Sequence, residues 1–190
     1  MQKKIKKIVI NLWGHPFFKY LLITIYLLRF LVPFLIFSHP IICIALEYIL
    51  DYGDSVFGFY SKSFSWKFCY RMDKILDYWF YIFVILFSLN YAIFPLLLVL
   101  FIYRSIGQFL TMKRYEEKDL IWFPNLFELY FISFIISWYL IPLRPFFNGT
   151  NNILLLILLL PLALSREYII HIKKPIPTMF RKDWIAWKNV

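Results

Sequence analysis

Apolar residues form six long runs along the chain, and each run ends at a short polar or charged segment. The runs cover about 17–37, 40–60, 70–89, 91–111, 126–143 and 152–171. Each run is close to the ~20 residues that a helix needs to cross a bilayer. The pattern therefore predicts an all-α, polytopic integral membrane protein built as a bundle of six transmembrane helices.

The composition supports the same class. Of the 190 residues, 62% are hydrophobic and 23% are aromatic, which is more apolar surface than a soluble fold of this size could bury. We expect one transmembrane domain over 1–172, followed by a basic interfacial tail over 173–190. In that tail Trp184 and Trp187 would lie at headgroup level.

Basic residues lie on alternate sides of the predicted spans. The chain has 21 Lys+Arg and 11 Asp+Glu, an excess that could point to nucleic acid or to membrane orientation. The basic residues before span one and after spans two, four and six are Lys3, Lys4, Lys6, Lys7; Lys62, Lys67, Arg71; Lys113, Arg114, Lys118; Lys173, Lys174, Arg181, Lys182 and Lys188. In the predicted loops on the other side of the membrane, Arg144 is the only basic residue. The positive-inside rule then predicts cytoplasmic termini in the cell (inner) membrane, and no nucleic-acid partner.

Four aspartates lie in or beside the second and third apolar runs. Asp51 and Asp54 share one helix face with Glu47, and Asp73 and Asp77 share a face of the next helix. A charge at bilayer depth costs at least ~2.5–3.5 kcal/mol on insertion scales. The surrounding sequence offers nothing that would neutralise all four aspartates, so we expect a shared cation.

The ligand chemistry narrows the identity of that cation. Carboxylate oxygens suit hard cations such as Mg²⁺, Mn²⁺ or Ca²⁺, whereas the few His and Cys residues argue against zinc. The segment between the two helices is long enough to bring the two acidic faces together near the cytoplasmic interface. The sequence therefore predicts a divalent-metal site there.

This arrangement resembles the CDP-alcohol phosphotransferase (CDP-alcohol phosphatidyltransferase) family, whose signature is D-x2-D-G-x2-A-R-x8/9-G-x3-D-x3-D. Asp51, Asp54, Asp73 and Asp77 match all four acidic positions when the variable gap takes its longer form. Six spans, with the signature bridging spans two and three, is also the architecture of that family. Weaker similarities are Arg29 in the first span and Arg104 in the fourth. The chain is identified as a divergent member.

The chain departs from the signature at four positions. Ser55 stands for Gly, Gly58 for Ala, Phe59 for Arg and Cys69 for the second Gly. In the family these positions surround the cytidine diphosphate group, so the donor pocket is where the sequence differs most. The resemblance implies that Ser55 and Gly58 still bind substrate. Arg71 or Arg104 would then replace the missing arginine.

The resemblance also implies an activity. The four aspartates would hold Mg²⁺ or Mn²⁺ on the pyrophosphate of a CDP-linked donor. Asp77, at the last signature position, would be the general base that takes the proton from an acceptor alcohol. The product would be a phosphodiester membrane lipid, released with CMP, and the family's homodimer would carry over.

Two other functions fit the same residues. A catalytically degenerate member could keep the fold and serve as a membrane scaffold or partner subunit. A cation or proton pathway could be lined by Glu47, Asp51, Asp54 and Glu128, although the chain lacks the paired Gly/Pro-broken helices of many transporters. If the protein is instead an enzyme or a scaffold, Glu128 is expected to pair with an interfacial lysine or a backbone donor.

Overall fold

The computed structural model describes residues 16–61, 64–114, 117–149 and 151–173, and within these ranges the chain is helical with no strand. The α-helices are α1 (Pro16–Leu31), α2 (Pro40–Tyr60), α3 (Trp66–Ser88), α4 (Phe94–Arg114), α5 (Leu126–Ser137) and α6 (Asn151–Glu167). The shorter segments are 3₁₀ turns over Val32–Phe37, Glu117–Trp122 and Ile141–Phe147, and a π-helical turn over Tyr168–Lys173. The all-α prediction is confirmed.

Among the described residues, three helical segments are long and apolar enough to cross a membrane. They are Pro16–Phe37, Phe94–Lys113 and Asn151–Ile172. Leu126–Ser137 is apolar but shorter, and α2 and α3 carry several charged residues each. These helices are compatible with a membrane protein, while the six-span count stays a prediction. The basic N-terminal residues and the tail after Lys173 lie outside the described residues.

Local sequence signals explain where several helices begin. The Ser65 side chain accepts a hydrogen bond from the Phe68 N–H at 3.2 Å, and Asn125 accepts one from the Glu128 N–H at 3.2 Å. Both are N-cap interactions that satisfy amides at a helix start. Pro40 opens α2, at the position where its missing N–H removes no hydrogen bond.

Helix α5 is shorter than the apolar run that predicts it, which extends over 126–143. Arg144 donates from Nε to the Ser137 carbonyl at 3.1 Å and from Nη2 to the Trp138 carbonyl at 2.9 Å. These bonds satisfy carbonyl groups at the helix end, so α5 stops there and the chain turns.

The helices pack in chain order, and α2 also reaches across to α5. Helix α1 lies against α2 and α3, α3 against α4, α4 against α5, and α5 against α6. The main apolar core includes Phe80, Val84, Leu97, Phe127, Phe131 and Ile135. Large apolar side chains on the outer face of α6, such as Ile153 and Ile157, are exposed, as expected of a surface that a bilayer covers.

Candidate functional site

Arg29 of α1 lies at the centre of a group of acidic side chains, which we call the acidic cluster. Its guanidinium contacts Glu47 (Nε to Oε1, 3.1 Å), Asp51 (Nη2 to Oδ1, 3.1 Å), Asp73 (Nη1 to Oδ1, 3.1 Å), Asp77 (Nη2 to Oδ1, 2.7 Å) and Asp54 (Nη1 to Oδ2). The four aspartates that the sequence singled out therefore lie together. The planar fork of an arginine suits such multiple contacts with carboxylates.

Helix spacing explains how the cluster forms. On α2, Asp51 follows Glu47 by four residues and Asp54 follows Asp51 by three, and on α3 Asp77 follows Asp73 by four, so each set lies on one face. The two faces meet against α1, which ends soon after Arg29. Pro at position 33 lacks the N–H that would bond to the Arg29 carbonyl, and the chain continues as a 3₁₀ turn.

The sequence predicted that nothing nearby would neutralise all four aspartates, and the structure places two cations beside them. Besides Arg29, the Lys74 Nζ lies 2.8 Å from Asp73 Oδ2 and 3.5 Å from Asp77 Oδ2. Both cations are buried, with exposed fractions of 1% for Arg29 and 5% for Lys74. The first comes from a helix far away in the sequence, and the second is the direct neighbour of Asp73.

Within the part of the chain that the structure describes, the acidic cluster nevertheless keeps an excess of acidic groups, with five carboxylates against two cations. Among the described residues, the buried atoms Glu47 Oε2 and Asp54 Oδ1 have no hydrogen-bond partner. Leaving a buried acceptor unpaired is unfavourable. One oxygen each of Asp51, Asp54 and Asp73 lie within 4.8 Å of one another. Mg²⁺ or Mn²⁺ would fit the carboxylate oxygen ligands, the excess negative charge and the unpaired buried oxygens of the acidic cluster.

The acidic cluster opens on a cavity of about 280 Å³. The side chains of Asp54 and Asp73 are 0% and 2% exposed, whereas those of Asp77 and Asp51 are 15% and 39% exposed. Asp51, Asp73 and Asp77 line the cavity, together with Lys74. The carboxylates thus extend from the closed interior to the accessible cavity wall.

A second group of charges also lines the cavity, and we call it the paired cluster. Arg104 Nη1 lies 3.2 Å from Glu167 Oε1, and His171 Nε2 lies 2.9 Å from Glu167 Oε2. The Asn125 N–H also donates to Glu167 Oε1 at 3.2 Å. His171 lies in the π-helical turn that follows α6. π-Helical turns are rare and are often found at functional sites.

Glu128 completes the paired cluster. It accepts from Arg166 Nη1 at 2.8 Å, from the Tyr48 hydroxyl at 3.0 Å and from the Tyr81 hydroxyl at 2.7 Å. The expected lysine or backbone partner of Glu128 is therefore replaced by an arginine and two tyrosines, which α6, α2 and α3 supply. Three donors satisfy this carboxylate, unlike Asp54 in the acidic cluster.

The four residues expected to bind substrate lie in different places. Ser55 and Arg104 line the cavity, and Gly58 and Arg71, both within the described residues, do not. Gly58 is buried, whereas Arg71 is exposed. Arg71 precedes Asp73 by two residues, a step of ~200° around a helix, so it points away from the acidic cluster. Of the two candidate replacement arginines, only Arg104 borders the cavity.

Sequence reasoning missed several residues that line the cavity or neutralise the acidic cluster. It assigned no role to Lys74, Arg166, Glu167 or His171, and it noted Arg29 only for its similarity to the family. A signal was present, because a charged residue inside an apolar run requires a partner or a water-filled cavity. Arg29 and the Arg166–Glu167 pair interrupt such runs.

Comparison with models of known families, with curated proteins and with solved structures gives no match to this chain. The similarity to CDP-alcohol phosphotransferases therefore rests on the spacing of the aspartates, and membership of that family stays a prediction.

Proposed function

We propose that the protein is a metal-dependent membrane phosphotransferase of phospholipid biosynthesis. It moves a phosphatidyl or phospho-alcohol group from a CDP-linked donor to an acceptor alcohol, with release of CMP. The observation that carries this proposal is one cavity that is lined both by aspartates of the acidic cluster and by Arg104 and Arg166. Phosphoryl transfer needs both, because a cation and positive side chains must stabilise the phosphate charges.

Asp51, Asp54 and Asp73 are the residues that would hold Mg²⁺ or Mn²⁺, with Asp77 beside them. The bound ion supplies a positive charge that polarises the phosphoryl group and stabilises the leaving phosphate. Asp54 and Asp73 are buried and fixed by Arg29 and Lys74. They provide the rigid part of the site, and the more exposed Asp51 faces the ligand.

Arg104 and Arg166, which line the cavity, would orient the donor. Arg104 is held by Glu167 and also donates to the Phe123 carbonyl at 2.6 Å. Arg166 is held by Glu128. Guanidinium groups that are fixed in this way can bind phosphate oxygens without having to be ordered first. Ser55 lines the same cavity and offers a hydroxyl.

Asp77 would accept the proton of the acceptor alcohol. Its carboxylate borders the cavity and is oriented by Arg29 at 2.7 Å, by Gln108 Nε2 at 3.3 Å and by Lys74 at 3.5 Å. A general base must lie within hydrogen-bond reach of the proton it takes. Asp77 is a carboxylate of the signature set that is both accessible from the cavity and held in place.

The proposal includes the placement of the site in the membrane. Six spans with both termini in the cytoplasm would put the cavity near the cytoplasmic interface, where a soluble head group meets a lipid. The protein would act as a homodimer.

Cysteine labelling tests the orientation in a chain whose buried free cysteines, Cys43 and Cys69, are replaced by alanine. The single-cysteine variants are His39→Cys, Tyr139→Cys, Lys67→Cys and Lys113→Cys. An impermeant reagent added outside cells should label the first two only, and the reverse pattern would contradict the orientation.

A transfer assay tests the activity. Purified protein in lipid is incubated with CDP-linked lipids and CDP-linked head groups, with acceptor alcohols, and with Mg²⁺, Mn²⁺ or a chelator. We expect metal-dependent release of CMP and formation of a phosphodiester. Absence of transfer from every donor, including donors with other nucleotides, would exclude the enzyme.

A catalytically degenerate scaffold is the second candidate. The observation in its favour is that Arg29 already contacts every carboxylate of the acidic cluster, together with the departures at Ser55 and Gly58. A cation pathway is less consistent with the geometry. The small void of about 20 Å³ beside Glu47 and Glu128 is also lined by Arg29 and Arg166, and two guanidinium groups repel a passing cation.

A further inference from the structure

Arg29 contacts each of the three aspartates that could hold a metal ion together. Its Nη1 lies against Asp54 Oδ2 and 3.1 Å from Asp73 Oδ1, and its Nη2 lies 3.1 Å from Asp51 Oδ1. These three aspartates are the ones whose ligand oxygens lie within 4.8 Å of one another. The guanidinium therefore stands where the carboxylates of α2 and α3 converge.

We propose that Arg29 is an internal counter-ion of the acidic cluster, and that a divalent cation binds in competition with it. The inference rests on the proposed metal site and adds how that site is controlled. In the metal-free protein Arg29 holds the aspartates, and on metal binding its two terminal nitrogens leave Asp51, Asp54 and Asp73.

The size of the site supports competition. One oxygen each of Asp51, Asp54 and Asp73 lie within 4.8 Å of one another. Because carboxylate oxygens lie ~2.1 Å from a bound Mg²⁺, the three carboxylates would have to move inward to hold one ion together. The same space cannot also hold the N–H groups of Arg29, because two positive groups at that distance repel each other strongly in a site of low polarity.

Glu47 explains where Arg29 would remain. It contacts the Arg29 Nε, the nitrogen nearest the side-chain stem, at 3.1 Å, and it is only 5% exposed. This contact does not involve the oxygens of the aspartates. Glu47 can therefore retain the guanidinium after exchange, while its unpaired Oε2 becomes available to the freed N–H groups.

Lys74 provides a matched control. It carries the same charge as Arg29 and contacts Asp73 and Asp77, but it has no ion pair with Asp51 or Asp54 among the described contacts. Removing either cation makes the acidic cluster more negative by one charge. Only Arg29→Gln also frees the oxygens at the centre, so competition predicts a larger effect for Arg29 than for Lys74.

The test is equilibrium binding of Mn²⁺ to purified protein, followed by the electron paramagnetic resonance signal of the free ion. Competition lowers the apparent affinity by the fraction of protein that is open. We expect Arg29→Gln to lower the Kd for Mn²⁺ by at least ~10-fold and Lys74→Gln to lower it much less. Arg144→Gln, outside the acidic cluster, should bind like wild type.

Arg29→Lys separates competition from net charge and covers the case in which the glutamine variant does not fold. It keeps the positive charge but loses the fork that contacts several carboxylates at once, so it should bind Mn²⁺ more tightly than wild type. Equal effects of Arg29→Gln and Lys74→Gln, or weaker binding by both Arg29 variants, would overturn the inference alone. Failure of wild type and of every Arg29 variant to bind Mn²⁺ would overturn the proposed metal site as well.

Discussion

The paired cluster and the acidic cluster contain similar residue types but differ in charge balance. In the paired cluster, Glu128 and Glu167 face Arg166 and Arg104 at 2.8 and 3.2 Å, so each carboxylate has its own arginine. In the acidic cluster, five carboxylates share Arg29 and Lys74. Buried carboxylates that each pair with a cation are neutralised within the fold. A buried group with more carboxylates than cations can bind a further positively charged ligand.

The difference in charge balance predicts different roles for the paired cluster and the acidic cluster. The paired cluster joins α2, α3, α4, α5 and α6 through Glu128 and Glu167 and is expected to contribute to stability. The acidic cluster is expected to contribute to activity and to metal binding. Neutralising one charge should therefore have opposite consequences for stability in the two clusters.

The largest expected effect is on turnover. Asp77→Asn keeps the size of the side chain but removes the proposed base, so the rate of transfer should fall by ~10²–10⁴-fold with little loss of folded protein. The matched control is Asp119→Asn, in the 3₁₀ turn Glu117–Trp122, which should leave the rate unchanged. Equal activity of Asp77→Asn and wild type would show that another group takes the proton.

The next effect concerns the stability of the paired cluster. Arg166→Gln leaves Glu128 buried without its cation, and loss of one partner of a buried ion pair costs ~3–5 kcal/mol of unfolding free energy. The double variant Arg166→Gln/Glu128→Gln should recover part of that loss, because no unpaired charge remains. Unfolding with a denaturing detergent would measure all three proteins. A double variant no more stable than Arg166→Gln would show that the charges are not coupled.

A smaller effect of opposite sign is expected in the acidic cluster. Asp51 is partly exposed, and Arg29 keeps four other carboxylate contacts without it. In the presence of a chelator, Asp51→Asn should therefore raise the unfolding free energy by less than ~1 kcal/mol, because it relieves repulsion between like charges at a partly exposed position. A clear destabilisation would mean that the acidic cluster is balanced in the metal-free protein.

The features that could be predicted from the sequence are those set by residues close together along the chain. The all-α class and the start of α2 at Pro40 follow from local hydropathy and punctuation. The shared faces of Asp51 with Asp54, and of Asp73 with Asp77, follow from helical spacing. These features depend on neighbours within a few residues.

The partners of the acidic residues could not be predicted in the same way. Arg29 lies on α1, 44 residues before Asp73, and Arg166 lies on α6, 38 residues after Glu128. Their positions depend on how the helices pack, which hydropathy does not determine. The end of α5 was missed for a related reason, because its last carbonyl groups are satisfied by the side chain of Arg144, beyond the helix itself.

The central claim, that the acidic cluster holds a divalent cation, is tested most directly by counting Mn²⁺ bound to purified protein at equilibrium. Wild type should bind Mn²⁺, Asp54→Asn and Asp73→Asn should lose that binding, and Asp119→Asn should retain it. The bound ion should also raise the thermal midpoint, because a ligand specific to the folded state stabilises it, by ~2.7 kcal/mol at 100 times the Kd. Equal Mn²⁺ binding by wild type, Asp54→Asn and Asp73→Asn would contradict the account.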